Sequence, residues 1–260
     1  MCGTVSIDPM PSDAELVCFY AKYQEYIRNR EPNANSYREL RVRQAAEAKR
    51  QIRQLRPYLR KTDDVCEIGA SFGAFLSVVR PLVRSVCAVE PGAGERRALN
   101  AIGIPTVSSI EHLKNRQGYF SMVALFHTIE HLNNPVAFLK SIRGLLRTDG
   151  KVVIETPNIN DPLIRLYDSV PFQNFYYRNE HCFYFSPKTM KTVFRRAGFK
   201  HAETMLVQRY GLANHLTWLR YGRPGGDPTI DKIVRNADGE YRAGLIDSGM
   251  SDTFVAVFRK

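Results

Sequence analysis

The stretch Asp-Asp-Val-Cys-Glu-Ile-Gly-Ala-Ser-Phe-Gly-Ala-Phe-Leu, residues 63–76, decides the fold of this chain. Its apolar run at 65–68 predicts a short buried strand, and Gly69 and Gly73 bracket a tight turn. Apolar residues at helical spacing over 72–83 then predict a helix. A strand, a glycine turn and a helix in this order bring backbone N–H groups and a helix N-terminus against a ligand.

Two acidic residues indicate what that ligand is. Glu67 ends the first strand beside the turn, where it would repel a pyrophosphate and attract a cationic group. The dinucleotide pattern G-x-G-x-x-G is absent because residue 71 is serine, and no P-loop is present. Residues 86–90 predict a second buried strand that ends in Glu90, which is placed to accept the two hydroxyls of a ribose. A cationic group, a glycine turn and a ribose-binding acid together fit S-adenosylmethionine (SAM).

The segments VCEIGASFGAFL and VCAVEP resemble the cofactor motifs of class I SAM-dependent methyltransferases. Downstream segments resemble successive blocks of the small-molecule branch of that superfamily: FHTIEHLNNPVAFL, GKVVIETPN and HCFYFSPKTMKTVFRRAGF. The ubiquinone-biosynthesis O-methyltransferases and the sugar and natural-product methyltransferases are of this kind. The resemblance covers about residues 63–207 and the last strand. It implies a Rossmann-like α/β fold with a doubly wound, seven-stranded, mostly parallel sheet and an antiparallel last strand.

Strand and helix patterns alternate along the chain, which is typical of a parallel sheet with crossovers. Strands are predicted near residues 64–68, 85–90, 105–107, 120–126, 150–155, 200–208 and 253–259, and helices near 72–83, 93–102, 134–146 and 187–197. Two earlier helices, 12–30 and 36–55, predict an N-terminal helical cap over residues 1–61. The SAM-binding methyltransferase domain would span 62–260, with a helical C-terminal insertion at about 210–250.

The resemblance implies that SAM lies beyond the carboxyl ends of the strands and leaves as S-adenosylhomocysteine. Cofactor contacts are expected from Glu67, Gly69, Ala70, Ser71, Phe72, Gly73, Glu90, Pro91, Ser109, Ile110, Phe126 and His127. Within this set, Glu67 and the glycines would hold the methionine portion and Glu90 the ribose. Ser109 stands where family members often have an acid for the adenine amine, and Ile110 would flank the ring.

The string His127-Thr-Ile-Glu130-His131 follows the fourth predicted strand. It matches the H-x-x-E-H of inverted zinc proteases, but the turn residues at 133–135 break the long helix which that chemistry needs. Three hypotheses stay open. Either His127 or His131 is a general base; or Glu130 and His131 bind a divalent cation, as E-x-x-E-H can in ubiquinone O-methyltransferases; or Glu130 and His131 only cap and orient the loop. His181 is a further candidate base, with a structural role as its alternative.

Substrate contacts are expected from Tyr20, Tyr23, Asn158, Tyr176, Tyr177 and Arg178. Enzymes that methylate exocyclic amines of nucleobases usually carry [ND]-P-P-[FY] after strand four, and this chain does not. The absence favours a hydroxyl on a small molecule, with an amine or a carbon as the alternatives. The predicted acceptor is a hydroxyl of a sugar, a nucleotide-sugar or another secondary metabolite. The alternatives are a SAM-binding regulatory module without turnover and, on charge alone, an RNA methyltransferase.

The formal net charge of +11 predicts an acidic or phosphorylated acceptor, while the lack of an RNA-binding motif disfavours nucleic acid. No apolar run reaches the ~20 residues of a membrane span, and the first residues lack a signal-peptide pattern. We therefore expect no membrane partner and a cytoplasmic location. The five cysteines have no spacing typical of a zinc site or a disulfide framework. A homodimer is a further expectation.

Overall fold

The computed structural model of this chain describes residues 4–12, 14–16, 18, 22 and 37–260. The strands are β1 (Val5–Ser6), β2 (Asp64–Ile68), β3 (Ser85–Val89), β4 (Thr106–Val107), β5 (Phe120–Phe126), β6 (Leu146–Pro157), β7 (Phe183–Tyr184), β8 (Lys200–Val207) and β9 (Thr253–Arg259). The helices from residue 37 onward are α1 (Tyr37–Leu55), α2 (Ala74–Val79), α3 (Ala93–Ala101), α4 (Pro135–Leu145), α5 (Pro162–Arg165), α6 (Val170–Tyr176), α7 (Pro187–Arg196), α8 (Leu212–Tyr221), α9 (Pro228–Val234) and α10 (Asp238–Asp247).

Seven strands form the main sheet, in the order β4-β3-β2-β5-β6-β9-β8. The pairs from β4 to β6 are parallel, while β9 lies between β6 and β8 and is antiparallel to both. The strand order reverses between β2 and β5, so the carboxyl ends of these two strands flank the crevice where ligands bind in open α/β sheets. The predicted fold class, a doubly wound seven-stranded sheet with an antiparallel last strand, is confirmed.

Apolar side chains cover both faces of the sheet. On one face, residues of α1, α2 and α3 pack on alternate residues of β2 and β3, among them Leu55, Leu76 and Leu99, which have no exposed surface. On the other face, α4 and α7 bury Leu139 and Phe194 against the remaining residues of the strands. Because successive strand residues point to opposite faces, a strand that is covered on both sides is apolar throughout, which explains the continuous apolar runs of the sequence.

The predicted bounds agree with the structure for β2, β5 and β9. β6 begins at Leu146, four residues before the predicted 150, because the buried Leu146 pairs with Phe120 ahead of an irregularity in the ladder. The predicted second helix is α1, whereas its proposed cap, Ser36, lies outside the described residues. Within the predicted helix 12–30, residues 14–16 and 18 are described and are helical. The predicted capping box is present: Glu15 N donates to Ser12 Oγ over 3.3 Å, and Ser12 N donates to Glu15 Oε2 over 2.8 Å.

The segment predicted as an insertion contains α8, α9 and α10. With α5, α6 and β7 it surrounds a third apolar cluster, which includes Leu163, Phe172, Tyr176, Tyr184 and Trp218. This cluster lies beyond the carboxyl end of β6 rather than on a face of the sheet, so it builds one wall of the crevice. The division into a cap over 1–61 and a domain over 62–260 stays a prediction.

Across the described ranges, no helix has the length and apolar character that crossing a bilayer requires.

Candidate functional site

Two cavities open at the carboxyl end of the sheet. The first, which we call the turn cavity, has a volume of about 260 Å³ and lies beside the glycine turn after β2. Its lining comes from the ends of β2, β3, β4 and β5 and from α4: Ile68, Gly69, Ser71, Val89, Glu90, Pro91, Ser108, Ser109, Ile110, Glu111, His127, Thr128, His131, Leu132 and Phe138. A lining that combines polar groups such as Glu90 with apolar side chains such as Ile110 suits a nucleoside.

Glu90 is the main polar group of the turn cavity. Its side chain is buried, and its two carboxylate oxygens accept hydrogen bonds from Ser71 N and Gly92 N, each over 2.8 Å. Burial raises the pKa of Glu90, although these two backbone N–H groups oppose the shift. Each carboxylate oxygen keeps a second lone pair, so Glu90 can still accept from vicinal hydroxyls of a ribose.

Gly69 makes the close approach at the turn possible. It has φ +74°, and a Cβ atom there would lie 2.5 Å from Thr128 Oγ1. That hydroxyl in turn donates to the carbonyls of Ile68 and Phe126, each over 3.1 Å, and so ties the ends of β2 and β5 together. A side chain at residue 69 would therefore push apart the two strands that form the crevice.

Glu67, an acid, and Arg41, a cation, flank the turn. Glu67 is buried, and its Oε2 atom has no hydrogen-bond partner among the described residues. Burial, and then the negative charge of Glu90, raises the pKa of Glu67 well above its usual range. Arg41 Nε donates to the Phe72 carbonyl over 2.7 Å, so α1 brings a guanidinium to the turn. An unpaired acid and a nearby cation complement the ammonium and the carboxylate of an amino acid.

The second cavity, which we call the aromatic cavity, has a volume of about 570 Å³ and lies toward the third apolar cluster. It is lined by His127, Glu130, His131, Pro157, Asp161, Leu163, Phe172, Phe175, Tyr176, Arg178, Glu180, His181, Arg209, Tyr210, Asn214, His215, Trp218, Pro224, Gly225 and Asp252. His127 and His131 line both cavities. A group held in the turn cavity and a molecule held in the aromatic cavity would therefore meet at these two histidines.

The cavities gather only part of the residues predicted from the sequence. The predicted cofactor residues that line the turn cavity are Gly69, Ser71, Glu90, Pro91, Ser109, Ile110 and His127. Glu67, Ala70, Phe72, Gly73 and Phe126 do not line it. Of the predicted substrate residues, Tyr176 and Arg178 line the aromatic cavity. Asn158 is fully buried and donates to Ser251 Oγ over 3.1 Å, and Tyr177 is 40% exposed outside the cavity. Tyr20 and Tyr23 lie outside the described residues.

His127 lies between two buried carboxylates. Its Nδ1 is 3.5 Å from Glu130 Oε1, and its Nε2 is 3.4 Å from Glu155 Oε1. Burial lowers the pKa of His127, but the two carboxylates outweigh it and raise the pKa to about 9. Burial alone would raise the pKa of Glu130 and of Glu155. The contacts with His127 lower both values, and Arg50 lowers that of Glu155 further, so the pKa of each is about 2. His127 is thus a cation at neutral pH, which suits a structural charge better than a base.

This ion cluster predicts a pH-dependent stability. An unfolded histidine titrates near pH 6.5, so the stabilisation that His127 provides is complete below that pH and is lost as the pH rises through about 9. We expect the His127→Gln variant to unfold at lower urea concentration than the natural chain at about pH 6.5, and the difference between the two to shrink toward pH 9–10. Urea unfolding followed by circular dichroism over this range measures it.

The exposed His112→Gln variant is the control for this experiment, because it changes the same residue type away from the cluster. It should track the natural chain at every pH. A stability difference for His127→Gln that stays constant between pH 6.5 and 10 would show that the histidine is not the titrating group.

His131 presents a different arrangement. Its Nδ1 lies 2.9 Å from the carbonyl oxygen of Glu180, an atom that can only accept, so the neutral ring carries its proton on Nδ1 and its lone pair on Nε2. The ring of His181 is 4.8 Å from that of His131. Burial lowers the pKa of His181 to about 3, so this second ring is neutral. Among the three predicted catalytic histidines, His131 therefore fits a general base best: its neutral ring has Nε2 as the basic nitrogen, and the residue lines both cavities.

Glu130, His131 and His181 each offer one atom that could bind a metal ion, and these atoms all lie within 4.8 Å of one another. The sequence predicted the first two as candidate ligands, and the structure adds the third. Glu130 Oε2, however, already accepts from Thr156 Oγ1 over 3.1 Å. The geometry thus leaves both the general-base and the metal hypotheses open.

The sequence did not single out several residues of the aromatic cavity. Arg209 and Asp252 form an ion pair, with Nε and Oδ1 2.9 Å apart, at the open end of the β8–β9 pair. Asp161 caps the short helix α5, where Leu163 N donates to its Oδ1 over 2.7 Å. The pattern N-x-x-D-P at 158–162 was a usable signal for this turn, whereas nothing local in the sequence marks the ion pair.

Comparisons with known proteins agree with this fold. Residues 37–204 match the family model described as a methyltransferase domain. No match was found among curated protein sequences.

Several solved structures share the fold. A SAM-dependent methyltransferase from Archaeoglobus fulgidus is 18% identical, with a TM-score of 0.60 over 90% of this chain and 99% of that one. A SAM-dependent methyltransferase from Thermotoga maritima, described as a possible histamine N-methyltransferase, is 19% identical, with a TM-score of 0.55 over 93% and 97%. The 1,6-didemethyltoxoflavin-N1-methyltransferase of Burkholderia thailandensis, solved with S-adenosylhomocysteine, is 14% identical, with a TM-score of 0.55 over 99% and 94%.

Proposed function

Since the chain belongs to the methyltransferase-domain family, we propose that it methylates a hydroxyl group of a small molecule held in the aromatic cavity. The cofactor is SAM, and the turn cavity is its site. A sugar, a nucleotide-sugar or another secondary metabolite is the expected acceptor. The observation that carries the proposal is that the two cavities share His127 and His131, because a methyl donor in one must meet an acceptor in the other.

The residues of the turn cavity fit the parts of SAM. Glu90 accepts from the ribose hydroxyls, and Ile110 and Phe138 offer apolar surface to the adenine. Glu67 lies beside the turn rather than in the lining of the cavity, and its Oε2, which has no partner among the described residues, complements the methionine ammonium. When bound, SAM supplies an electrophilic methyl group on a sulfonium. The chain itself would contribute orientation and a base: His131 Nε2 would take the proton of the acceptor hydroxyl, and the oxygen would then bond the methyl group that leaves the sulfonium.

The test is transfer of a labelled methyl group from SAM to a panel of hydroxylated and amino-bearing small molecules, with and without a chelator. We expect label in at least one hydroxyl compound, one S-adenosylhomocysteine released per methyl group, and unchanged turnover with the chelator, because His131 serves as the base. Label found only on nitrogen would overturn the hydroxyl assignment. Loss of turnover on chelation, restored by a divalent cation, would assign Glu130, His131 and His181 to a metal instead.

Three sequence predictions concern the location of the protein and its partners. The cytoplasmic location and the homodimer stay predictions. The acidic or phosphorylated acceptor rested on the net charge of +11, but many of the exposed cations lie on the outer face of α1 and just after it, among them Lys49, Arg53, Arg56 and Arg60. Arg178 is the cation of the aromatic cavity best placed to meet an acidic group, and it is only 3.9 Å from Glu180.

A further inference from the structure

One end of the aromatic cavity is a wall of aromatic rings. The ring centroids of Phe172 and Trp218 lie 5.1 Å apart, those of Phe175 and Trp218 5.2 Å apart, and those of Phe172 and Tyr176 5.6 Å apart. Rings at such distances form a continuous apolar surface whose faces carry negative partial charge. The wall therefore suits a planar or cationic group better than an anion.

Asp161 lies at the same end of the cavity as a buried acid without a counter-charge. It is 3% exposed, and among the described residues its carboxylate accepts one hydrogen bond, from Leu163 N. Within residues 37–260, Asp161 forms no ion pair. Arg209, a cation of the same cavity, pairs instead with Asp252 at 2.9 Å and with Glu47 at 4.0 Å. Burial raises the pKa of Asp161 to about 7, with Asp252 adding to the shift and the Leu163 N–H and Arg209 opposing it. A buried carboxylate of this kind gains stability from a cationic ligand.

The Tyr176 hydroxyl points to a ligand at the same place. Tyr176 is 8% exposed and lines the cavity, yet its hydroxyl oxygen has no hydrogen-bond partner within the described chain. Buried hydroxyls are nearly always paired, so an unpaired one on a side chain that lines a cavity marks a group that a bound molecule supplies. Its lone pairs can accept from an N–H donor while Asp161 provides the charge.

The charged residues of the whole lining also favour a cationic ligand. The acidic residues of the cavity are Glu130, Asp161, Glu180 and Asp252, and the cationic ones are His127, Arg178 and Arg209. Each cation has a carboxylate within 4.0 Å: His127 has Glu130, Arg178 has Glu180, and Arg209 has Asp252. Of the four acids, Asp161 is the one that none of these three cations pairs with. The cavity thus carries an excess of acid inside a chain that is basic as a whole.

We propose that Asp161, Tyr176, Phe172 and Trp218 form an ammonium subsite, which binds a protonated amino group of the acceptor. This inference rests on the proposed function and specifies its substrate class as a small molecule with both an amino group and the hydroxyl that is methylated. The amino group would dock at the aromatic wall while the hydroxyl lies at His131, which fixes the acceptor in one orientation. An acidic acceptor, predicted from the net charge, would place its anion against this uncompensated acid.

Calorimetric titration with three simple probes tests the subsite: benzylamine, benzyl alcohol and benzoate share a ring and differ in charge. With S-adenosylhomocysteine present and at about pH 8, where Asp161 is ionised, we expect benzylamine to bind at least about tenfold more tightly than the other two. In Asp161→Asn, the affinity for benzylamine should fall about tenfold and that for benzyl alcohol should not change. Tighter binding of benzoate, equal binding of benzylamine by both proteins, or no binding of any probe would overturn the proposal.

The Asn variant is a matched change because its Oδ1 can still accept from Leu163 N and so keep the cap of α5. Tyr176→Phe is a second variant that removes only the hydroxyl, and we expect it to weaken benzylamine about threefold. Thermal unfolding and S-adenosylhomocysteine affinity report whether either variant has lost its fold. Since the probes need no methyl transfer, failure of the hydroxyl-methylation assay and failure of the ammonium subsite are separate results.

Discussion

Replacing Glu90 by alanine is expected to weaken SAM binding by about a hundredfold or more. The carboxylate would accept from the ribose hydroxyls, and it already holds Ser71 N and Gly92 N, so the change removes the ligand contact and loosens the turn that surrounds it. Hydrogen bonds to a charged group contribute about 1.5–3 kcal/mol each, and two of them amount to about two or more powers of ten in affinity. Calorimetric titration with SAM and with S-adenosylhomocysteine measures the effect.

Two variants make this result specific. Glu111→Ala removes an exposed acid at the rim of the same cavity and should leave the affinity within about threefold. Glu90→Gln keeps one acceptor oxygen and should lie between Glu90→Ala and the natural chain. If Glu90→Ala bound SAM as tightly as Glu111→Ala, the ribose role of Glu90 would be wrong.

The half of the site around the turn cavity was predictable because its residues are local in sequence. A buried strand, two glycines and a helix within residues 63–76 place Gly69 and Ser71, and the next strand places Glu90 beside them through the register Ile68↔Val89. Parallel neighbours end at the same edge of a sheet, so strand ends alone indicate which residues meet.

Strand parity limited that prediction. Phe126 was expected to contact the cofactor because it lies at a strand end. Alternate strand residues point to opposite faces, so Phe126 packs on Phe75, with ring centroids 4.6 Å apart, on the side of the sheet that α2 covers. The sequence places a residue at the correct edge, but the pleat decides which cavity it lines.

The half around the aromatic cavity was only partly predictable, because distant segments build it. Arg209 and Asp252 are 43 residues apart and meet only because β8 pairs with β9, with Val207 opposite Thr253. Trp218 comes from α8 and Phe172 from α6, and no periodic pattern links the two helices. The net charge of the chain was a poor guide to the charge of this cavity. It includes the exposed cations on the outer face of α1, whereas the cavity has an excess of acid.

Replacing His131 by alanine is expected to lower kcat by about a hundredfold or more, while the affinity for SAM changes by less than about threefold. General bases typically contribute 10²–10⁴-fold. His131 Nδ1 lies 2.9 Å from the Glu180 carbonyl oxygen, so the neutral ring carries its proton there and Nε2 is its basic nitrogen. Single-turnover methyl transfer measures the rate constant of the chemical step separately from product release. Added imidazole should restore part of the rate in His131→Ala, since it replaces a base but not a packing contact.

His181→Ala is the control that separates the hypotheses for these residues. Its neutral ring packs against that of His131 but lines only the aromatic cavity, so under the base hypothesis its loss should cost less than about tenfold and respond little to imidazole. If both variants lost activity equally, without rescue, and the natural chain were inactivated by a chelator, the shared function of the two rings would be metal binding. If neither variant lost activity, the chain would accelerate methyl transfer by positioning alone, which in-line transfer from a sulfonium permits.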